Sequence, residues 1–317
     1  MGRTRNIFLI LTILSILIPS SEAYASEGHH RRRSIAAWIV GKYVNERIVF
    51  RYLNDTETDK SIYVIPNRLQ FPRPVTSRIA AGMQVFEMNP DDSQVTVFYI
   101  HGGAYVKTFT THHWRFLSKL ARRTGCELIV PNYPLLPNNT AADAHPMMME
   151  LYRQIAATHD MSKVVIMGDS AGGGFSLALV QEAQEEGLPL PGRMVLLSPW
   201  VDVDGGNYDL DRKDAMIDLD CVKIYGQAWA GELGVTNPIV SPMFGNMKGL
   251  PEADIFAGTW EVLMDDCISV EQSLNAAGVA AHIHLGNKMG HVYPLYPIPE
   301  AKPAVTEIVN IVKSLDE

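Results

Sequence analysis

The segment Val164-Val165-Ile166-Met167-Gly168-Asp169-Ser170-Ala171-Gly172-Gly173 decides the fold of this chain. A β-branched apolar run enters a Gly-x-Ser-x-Gly motif, and a small-residue stretch typical of a helix follows it. Such a sharp strand-to-helix turn lifts the Ser170 hydroxyl above a sheet, and it sets that hydroxyl at a helix N-terminus where positive partial charge favours a developing anion. Gly168 and Gly172 keep side chains out of the turn. Ser170 is therefore the predicted nucleophile.

Strand and helix patterns alternate on both sides of this motif. The predicted strands cover residues 95–100, 127–131, 163–167, 193–197, 253–257 and 281–285. The predicted helices cover residues 113–123, 142–158, 171–186, 265–277 and 303–315. Strands that alternate with helices of this length indicate βαβ units and a largely parallel sheet. An earlier run, Met83 to Met88, is predicted as an antiparallel strand at the edge of that sheet.

A glycine pair follows the strand predicted to end at Ile100. A tetrahedral intermediate of acyl transfer needs backbone N–H groups aimed at its oxygen, and glycines let that backbone approach closely. We expect Gly103 and Ala104 to supply this loop's amides, with Gly102 in support, while His101 holds the loop in shape. The residue after the nucleophile supplies a further amide. The predicted oxyanion hole comprises Gly102, Gly103, Ala104 and Ala171.

Three of the ten histidines follow Ser170, as the chain order of such a site requires. His282 and His284 alternate within a predicted strand, where histidines are usually structural. His291 lies in the loop just past that strand. A general base must reach both a nucleophile and an acid, so His291 is the predicted base.

The acid is expected in the loop after the preceding strand. The stretch Gly258-Thr259-Trp260-Glu261-Val262-Leu263-Met264-Asp265-Asp266 offers three carboxylates. Glu261 comes directly after the turn, whereas Asp265 and Asp266 belong to the first turn of a predicted helix, where carboxylates stabilise the dipole. Glu261 is the predicted acid, and Asp265 is the alternative.

The composition of the chain limits which classes of function it can have. The chain has 317 residues, of which 47% are hydrophobic, and a net charge of −8. Its size suits one large globular domain, or a domain with a small lid. Its acidic balance disfavours nucleic acid as a partner because phosphates need lysine and arginine. Cys126, Cys221 and Cys267 form neither a disulfide framework nor a zinc-like spacing. No metal or organic cofactor is expected.

The N-terminus is typical of a secretory signal. Two arginines precede the apolar residues 7–18, and Ala23-Tyr24-Ala25 follows them. A basic start, a short apolar centre and a small-x-small end predict a signal peptide over residues 1–25, hence a secreted or cell-envelope protein. Arg31 to Arg33 weaken this interpretation, because basic residues tend to stay inside. A retained anchor, with membrane association through this segment, is the alternative.

The remaining residues, 26–317, are predicted to form a single domain. Two segments fall outside the strand–helix alternation, residues 34–74 and 202–247. Insertions between sheet elements often lie over a site, so both are predicted as cap elements. Ordinary surface decoration is the alternative.

Several blocks together resemble one known family, the hormone-sensitive-lipase-like esterases of the α/β-hydrolase superfamily. The blocks are HGGA at His101, PNYPLLP at Pro131, GDSAGG at Gly168, LSPWVD at Leu197, SPMFG at Ser241, GTWEVLMDD at Gly258 and MGHVYPLY at Met289. The resemblance implies an α/β-hydrolase fold with a mostly parallel central sheet flanked by helices, and a small helical cap. It also implies a carboxylesterase with Ser170, Glu261 and His291 as a triad.

The chain departs from the family pattern in three places. Ala104 stands where a third glycine is common, a change that leaves the backbone N–H in place. The block Tyr133-Pro134-Leu135-Leu136-Pro137 lacks the family's arginine, and the acid is a glutamate where aspartate is commoner.

The function expected from these features is cleavage of carboxylic esters with short- to medium-chain acyl groups, through an acyl-enzyme. The substrate would be a small molecule. An amidase or deacetylase that uses the same triad is one alternative. A non-catalytic small-molecule receptor on the same fold is another, although such a protein would be expected to have lost a member of the triad.

Overall fold

An eight-stranded sheet crosses the part of the chain that the computed structural model describes, which comprises residues 60–205, 214, 216–217 and 219–317. The strands are β1 (Val75–Ala80), β2 (Met83–Met88), β3 (Thr96–Ile100), β4 (Glu127–Asn132), β5 (Val164–Asp169), β6 (Arg193–Leu197), β7 (Ala253–Gly258) and β8 (Ala281–Gly286). Their order is β1-β2-β4-β3-β5-β6-β7-β8. The pairs β1–β2 and β2–β4 are antiparallel and the rest are parallel, which confirms the predicted fold class.

Helices cover both faces of the sheet. They are α1 (Thr111–Thr124), α2 (Ala141–Thr158), α3 (Ala171–Glu185), α4 (Leu219–Ala230), α5 (Met264–Ala276) and α6 (Ala301–Ser314). The apolar sides of α1 and α6 share a core with one face, and those of α2, α3 and α5 share a core with the other. In α1 the buried stripe includes Trp114, Leu117 and Ala121, which follow the helical period, while Arg115 and Lys119 point to solvent.

The order of the strands positions the candidate site. From β3 the chain crosses to β4 on one side and then returns to β5 on the other, so a crevice opens at the carboxyl ends of β3 and β5. All strands from β3 to β8 point the same way. The residues that follow β3, β5, β7 and β8 therefore meet at one edge of the sheet.

The prediction that Met83–Met88 forms the sheet edge is wrong. This strand is antiparallel, as predicted, but it lies between β1 and β4 and is almost entirely buried. The edge on this side of the sheet is β1, whose sequence Val-Thr-Ser-Arg-Ile-Ala is mostly exposed. An edge strand with one solvated face has no apolar run, so the sequence pattern did not reveal it.

The structure describes parts of both segments that were predicted as cap elements, residues 34–74 and 202–247. Within residues 202–247, helix α4 was not predicted from the sequence. In the described part of the first segment, residues 60–74, Tyr63 packs against Phe86 and Trp114. Residues 34–59 and the predicted signal peptide, residues 1–25, lie outside the described residues. Among the residues that are described, no helix is long and apolar enough to span a membrane.

Candidate active site

Ser170 sits at a strained turn between β5 and α3. Its backbone has φ 53° and ψ −122°, a conformation that a non-glycine residue holds only when its surroundings enforce it. The Ser170 N–H donates to the carbonyl of Leu197 at 2.8 Å, and the Ser170 carbonyl accepts from the Trp200 N–H at 2.9 Å. A Cβ atom on Gly172 would overlap the carbonyl oxygens of Ile100 and His101. Gly172 thus lets α3 pack directly on the end of β3.

His291 lies within hydrogen-bond distance of the serine. Its Nε2 atom is 2.8 Å from the Oγ atom of Ser170. The imidazole is buried, and this burial lowers its pKa, while the negative charges of Asp214 and Asp169 act in the opposite direction. The net shift favours a neutral imidazole, the form that can accept a proton from a serine hydroxyl.

Glu261 is the carboxylate next to this histidine. Its Oε2 atom lies 3.8 Å from His291 Nδ1, beyond hydrogen-bond distance, and it accepts a hydrogen bond of 2.7 Å from the Ser198 hydroxyl. His291 Nδ1 has no hydrogen-bond partner among the described residues. Complete burial, together with the negative charge of Asp214, raises the pKa of Glu261 to about 8. Asp265, the alternative acid, lies in the first turn of α5.

Two polar residues that the sequence analysis did not single out hold this acid in place. Ser198 bridges two loops, because its hydroxyl donates to Glu261 and accepts from the Val292 N–H at 3.0 Å. The Asp214 carboxylate accepts from the Val262 N–H at 3.0 Å, next to Glu261 in the chain. Ser198 could have been predicted from the sequence, because it directly follows β6. This strand lies between β5 and β7, which position Ser170 and Glu261. Nothing in the local sequence marks Asp214.

The predicted oxyanion loop lies beside the serine. Gly103 and Ala104 line the same pocket as Ser170, at φ 127° and 53°. The Gly102 N–H instead donates to the Asp169 carboxylate at 3.0 Å, so this amide ties the loop to the nucleophile turn. Ala171 is the first residue of α3, where backbone N–H groups lack partners within the helix.

Asp169 organises a buried network under this loop. Its carboxylate accepts from the Tyr99 hydroxyl at 2.6 Å, from the Gly102 amide, and from His113 Nε2 at 3.2 Å. The Thr110 N–H donates to His113 Nδ1 at 2.9 Å, which leaves the proton on Nε2. Burial raises the pKa of Asp169, but these donors outweigh it and the pKa lies below its usual value. The network therefore contains a fixed negative charge.

His101 holds the predicted oxyanion loop in shape through contacts with Gly102 and Tyr133. Its Nδ1–H donates to the Gly102 carbonyl at 2.8 Å, and its ring stacks on Tyr133 with centroids 4.5 Å apart. The Tyr133 hydroxyl in turn donates to the His101 carbonyl at 2.8 Å. Burial and the neighbouring His113 lower the pKa of His101 to about 3, so it stays neutral. A neutral, stacked imidazole suits a scaffold role.

The pocket at this site has a volume of about 290 Å³. Ser170 and His291 lie on its wall together with Gly103 and Ala104 of the predicted oxyanion loop. Apolar side chains from the 202–247 segment and from the His291 loop complete the wall: Met216, Ile217, Val222, Val292 and Leu295. Among the described residues, no group of three or more histidine, cysteine, aspartate or glutamate side chains is arranged to hold a metal ion.

The chain is similar to known lipases and esterases. Residues 97–295 match a family model described as the alpha/beta hydrolase fold. A triacylglycerol lipase of Mycobacterium tuberculosis is 36% identical over 199 residues, which span 62% of this chain and 42% of that lipase. An esterase of Acinetobacter venetianus is 26% identical over 280 residues, which span 82% of this chain and 92% of the esterase.

A solved structure agrees with these relatives. It is a crystal structure of an esterase from the bacterial hormone-sensitive lipase family, which matches with a TM-score of 0.72 at 26% identity. The match covers 80% of this chain and 87% of that esterase.

Proposed function

The chain belongs to the α/β-hydrolase family and is a carboxylic ester hydrolase, and we propose that it works through a triad of Ser170, His291 and Glu261. The family resemblance predicted from the sequence, to hormone-sensitive-lipase-like esterases, is confirmed by these comparisons. The observation that carries the proposal is the 2.8 Å contact between Ser170 Oγ and His291 Nε2 on the wall of a pocket.

In the proposed reaction Ser170 Oγ attacks the ester carbonyl carbon while His291 Nε2 takes the hydroxyl proton. The tetrahedral intermediate collapses as His291 protonates the leaving alcohol, and the acyl group stays on Ser170. Water then attacks this acyl-enzyme with His291 again as the base, which releases the carboxylic acid and restores the serine.

Glu261 is proposed to orient and stabilise the imidazolium. The 3.8 Å separation from His291 Nδ1 is long, but catalytic hydrogen bonds often tighten only once substrate is bound. A positive charge on His291 favours ionisation of Glu261, because a buried carboxylate gains most from a nearby cation. The same charge is favoured by Asp214, which is negative and close enough to act on both residues.

Backbone amides of Gly103, Ala104 and Ala171 are proposed to bind the oxyanion. Their position around Ser170 supports this role, and removing one such donor typically costs about 3 kcal/mol of transition-state stabilisation. Gly102 is proposed to act indirectly, because its amide is engaged by Asp169.

The size of the pocket supports a small ester as substrate. A volume of about 290 Å³ lies at the lower end of small-molecule sites, which run from about 300 to 1,000 Å³. We propose acyl groups of short to medium length, with the 202–247 segment acting as the cap that limits them.

Hydrolysis of p-nitrophenyl butyrate by the wild type and by Ser170→Ala tests the proposal. We expect turnover by the wild type and a loss of at least about a thousandfold in the variant. Equal rates would refute it.

The matching butyryl p-nitroanilide separates the amidase alternative, which would require comparable rates on anilide and ester. A non-catalytic receptor is disfavoured, because serine and histidine are already in contact.

We also propose export of the chain through residues 1–25. The sequence pattern of that segment supports it. Fractionation of cells that express the full chain should place the activity outside the cytoplasm, and replacing three apolar residues of 7–18 by aspartate should retain it inside. Cytoplasmic activity for both forms would contradict export.

A further inference from the structure

Helix α1 carries a row of positive charges on the side that faces away from the sheet. Arg115, Lys119 and Arg122 are exposed, and Arg123 is half-buried. Together with Arg68, from the segment that precedes β1, they line a groove of about 380 Å³. These five residues define what we call the cationic groove.

Two cations of the groove donate hydrogen bonds to neutral oxygens. The Arg122 guanidinium donates to the backbone carbonyl of Gln70 at 2.9 Å, and Arg123 donates to the Thr306 hydroxyl at 3.4 Å. Among the described residues that line the groove, none is an aspartate or a glutamate. The walls of the groove therefore supply no carboxylate to the cations that line it.

This arrangement opposes the stability of the helix. Arg115 and Lys119, and also Lys119 and Arg123, are like charges at i,i+4 spacing, which destabilise a helix. Burial, Arg123 and Lys302 all lower the pKa of Lys119. The helix dipole favours the two cations of the last turn, Arg122 and Arg123, but it does not account for cations in the middle of the helix. A role outside the fold accounts for all of them.

The groove begins where the wall of the active-site pocket ends. His112 lines that pocket, and Arg115, one helical turn further along α1, lines the groove. Arg68 donates to the Thr111 hydroxyl at 3.3 Å, which joins the other wall of the groove to the same turn. From Arg115 to Arg123 the row extends for about 12 Å along the helix axis.

We propose that the cationic groove docks the enzyme on the anionic phospholipids of a bilayer surface. The proposal rests on the proposed function, because acyl esters held in a bilayer are the substrates that such docking brings to the pocket. A bilayer presents many phosphates to one face of a protein, which matches a row of cations on a chain whose net charge is −8. A nucleic acid also presents a row of phosphates, so it is the competing partner that the test must exclude.

Sedimentation of the full chain with vesicles measures the docking. All variants carry Ser170→Ala, so the result does not depend on turnover and a failure of docking is distinct from a failure of the proposed function. Vesicles of phosphatidylcholine with 30% phosphatidylglycerol are compared with pure phosphatidylcholine, at low and high salt. The N-terminal apolar segment acts equally in every variant, so the preference for anionic vesicles is the quantity compared.

The variant Arg115→Glu/Lys119→Glu reverses two exposed charges of the groove. Lys223→Glu/Lys248→Glu, at two exposed lysines in the 202–247 segment and the loop that follows it, is the control with the same net charge. We expect the anionic preference to fall about 30-fold or more in the groove variant, since each lysine or arginine near such a surface contributes about 1 kcal/mol. The control should stay within about threefold of the parent. With Ser170 restored, both variants should hydrolyse p-nitrophenyl butyrate like the wild type.

Four outcomes would overturn the proposal. One is the absence of any preference for anionic vesicles in the parent, and another is an equal loss in both double variants. The third is stronger displacement from vesicles by inorganic phosphate than by chloride at equal ionic strength, which would indicate a site for a free phosphate. Binding of duplex DNA that is lost in the groove variant while vesicle binding persists would assign the groove to nucleic acid instead.

Discussion

Burial shifts the pKa values of His291 and Glu261, two of the candidate catalytic side chains, in opposite directions. It lowers the pKa of the His291 imidazole and raises that of the Glu261 carboxyl, so both groups are biased toward their neutral forms in the free protein. Asp169, one residue before the nucleophile, keeps its charge because three donors surround it. The proposed triad is therefore expected to carry little charge until His291 takes the proton of Ser170.

The charge on Asp214 is expected to set the acid limb of the pH–rate profile. His291 must be neutral to act as base, and the negative charge of Asp214 raises its pKa. Asp214→Asn removes that charge and lowers the pKa of His291, so activity should persist to lower pH. The measurement is kcat/KM against pH for p-nitrophenyl butyrate. Glu232→Gln, which is exposed, should leave the profile unchanged. A shift of the acid limb to higher pH in Asp214→Asn would contradict this account.

The raised pKa of Glu261 makes a prediction about stability. Folding raises this pKa from 4.5 to about 8, so the carboxyl contributes stability that is complete below pH 4.5 and is lost as pH rises through about 8. Glu261→Gln cannot ionise. The free energy of unfolding of the wild type should therefore fall relative to the variant between pH 4.5 and 8, by at most about 5 kcal/mol.

Urea denaturation of both proteins at several pH values measures this difference. The glutamine can still accept the hydrogen bond from Ser198, so the variant tests ionisation more than packing. Parallel stability curves for the two proteins across this range would mean that Glu261 ionises in the folded state as easily as in the unfolded state.

At the scale of elements, the site depends on how closely α3 approaches β3. Gly172 lies where the first turn of α3 meets the Ile100 and His101 carbonyls, and a Cβ atom there would overlap backbone on both. Backbone cannot yield as a flexible side chain can, so any larger residue must push the helix away from the sheet. The oxyanion loop, which leaves β3 at that point, would move with it.

Gly172→Ala is therefore expected to destabilise the protein by about 3 kcal/mol or more, at or above the upper end of what overpacking typically costs, because backbone atoms cannot yield. Gly278→Ala is the matched control: its φ is +81°, with nothing within 4 Å of the added Cβ, so it should cost only about 1–2 kcal/mol of conformational strain. Thermal denaturation followed by circular dichroism compares the two. Equal losses would show that the close approach of α3 to β3 is not critical.

The elements that the sequence predicted are those with strong periodicity and burial. The six parallel strands and five of the helices lie within about two residues of their predicted bounds, because buried apolar runs and amphipathic stripes are local signals. Strand β1 was missed because it is exposed, and α4 because its segment is interrupted by Asp and Gly. Neither β1 nor α4 has a regular apolar pattern over a few consecutive residues, which is the signal that sequence analysis detects.

The residues of the candidate site likewise fall into those that the sequence predicted and those that it did not. Ser170, Glu261 and His291 each follow a predicted strand, so parallel strand ends sufficed to bring them together. Ser198 and Asp214 act through contacts that depend on strand order and on a long insertion, which no local pattern encodes.

At the scale of the whole molecule, the pocket lies between the sheet and the 202–247 segment. Met216 and Ile217 from that segment face Ser170 and His291 across a volume of about 290 Å³. The N–H groups of both residues donate to the Asp214 carboxylate, at 2.8 and 3.2 Å, which fixes the turn that holds them. We therefore expect residues of this insertion, and not the sheet, to limit the length of the acyl chain that the pocket accepts.

Ile217→Ala should shift the acyl preference to longer chains. Removing the branched side chain enlarges the pocket, so kcat/KM for p-nitrophenyl octanoate relative to the butyrate should rise on the order of tenfold. Phe244→Ala, an exposed aromatic of the same segment that does not line the pocket, should leave the ratio unchanged. An unchanged ratio in Ile217→Ala would mean that the acyl group binds elsewhere.

The central claim is that the Ser170 hydroxyl is activated by His291 for attack on an acyl carbon. Mass spectrometry of peptides after brief exposure to a fluorophosphonate probe tests it most directly. The account predicts one adduct, on Ser170, absent from Ser170→Ala and formed far more slowly in His291→Ala. An adduct on another residue, or labelling of His291→Ala at the wild-type rate, would contradict it.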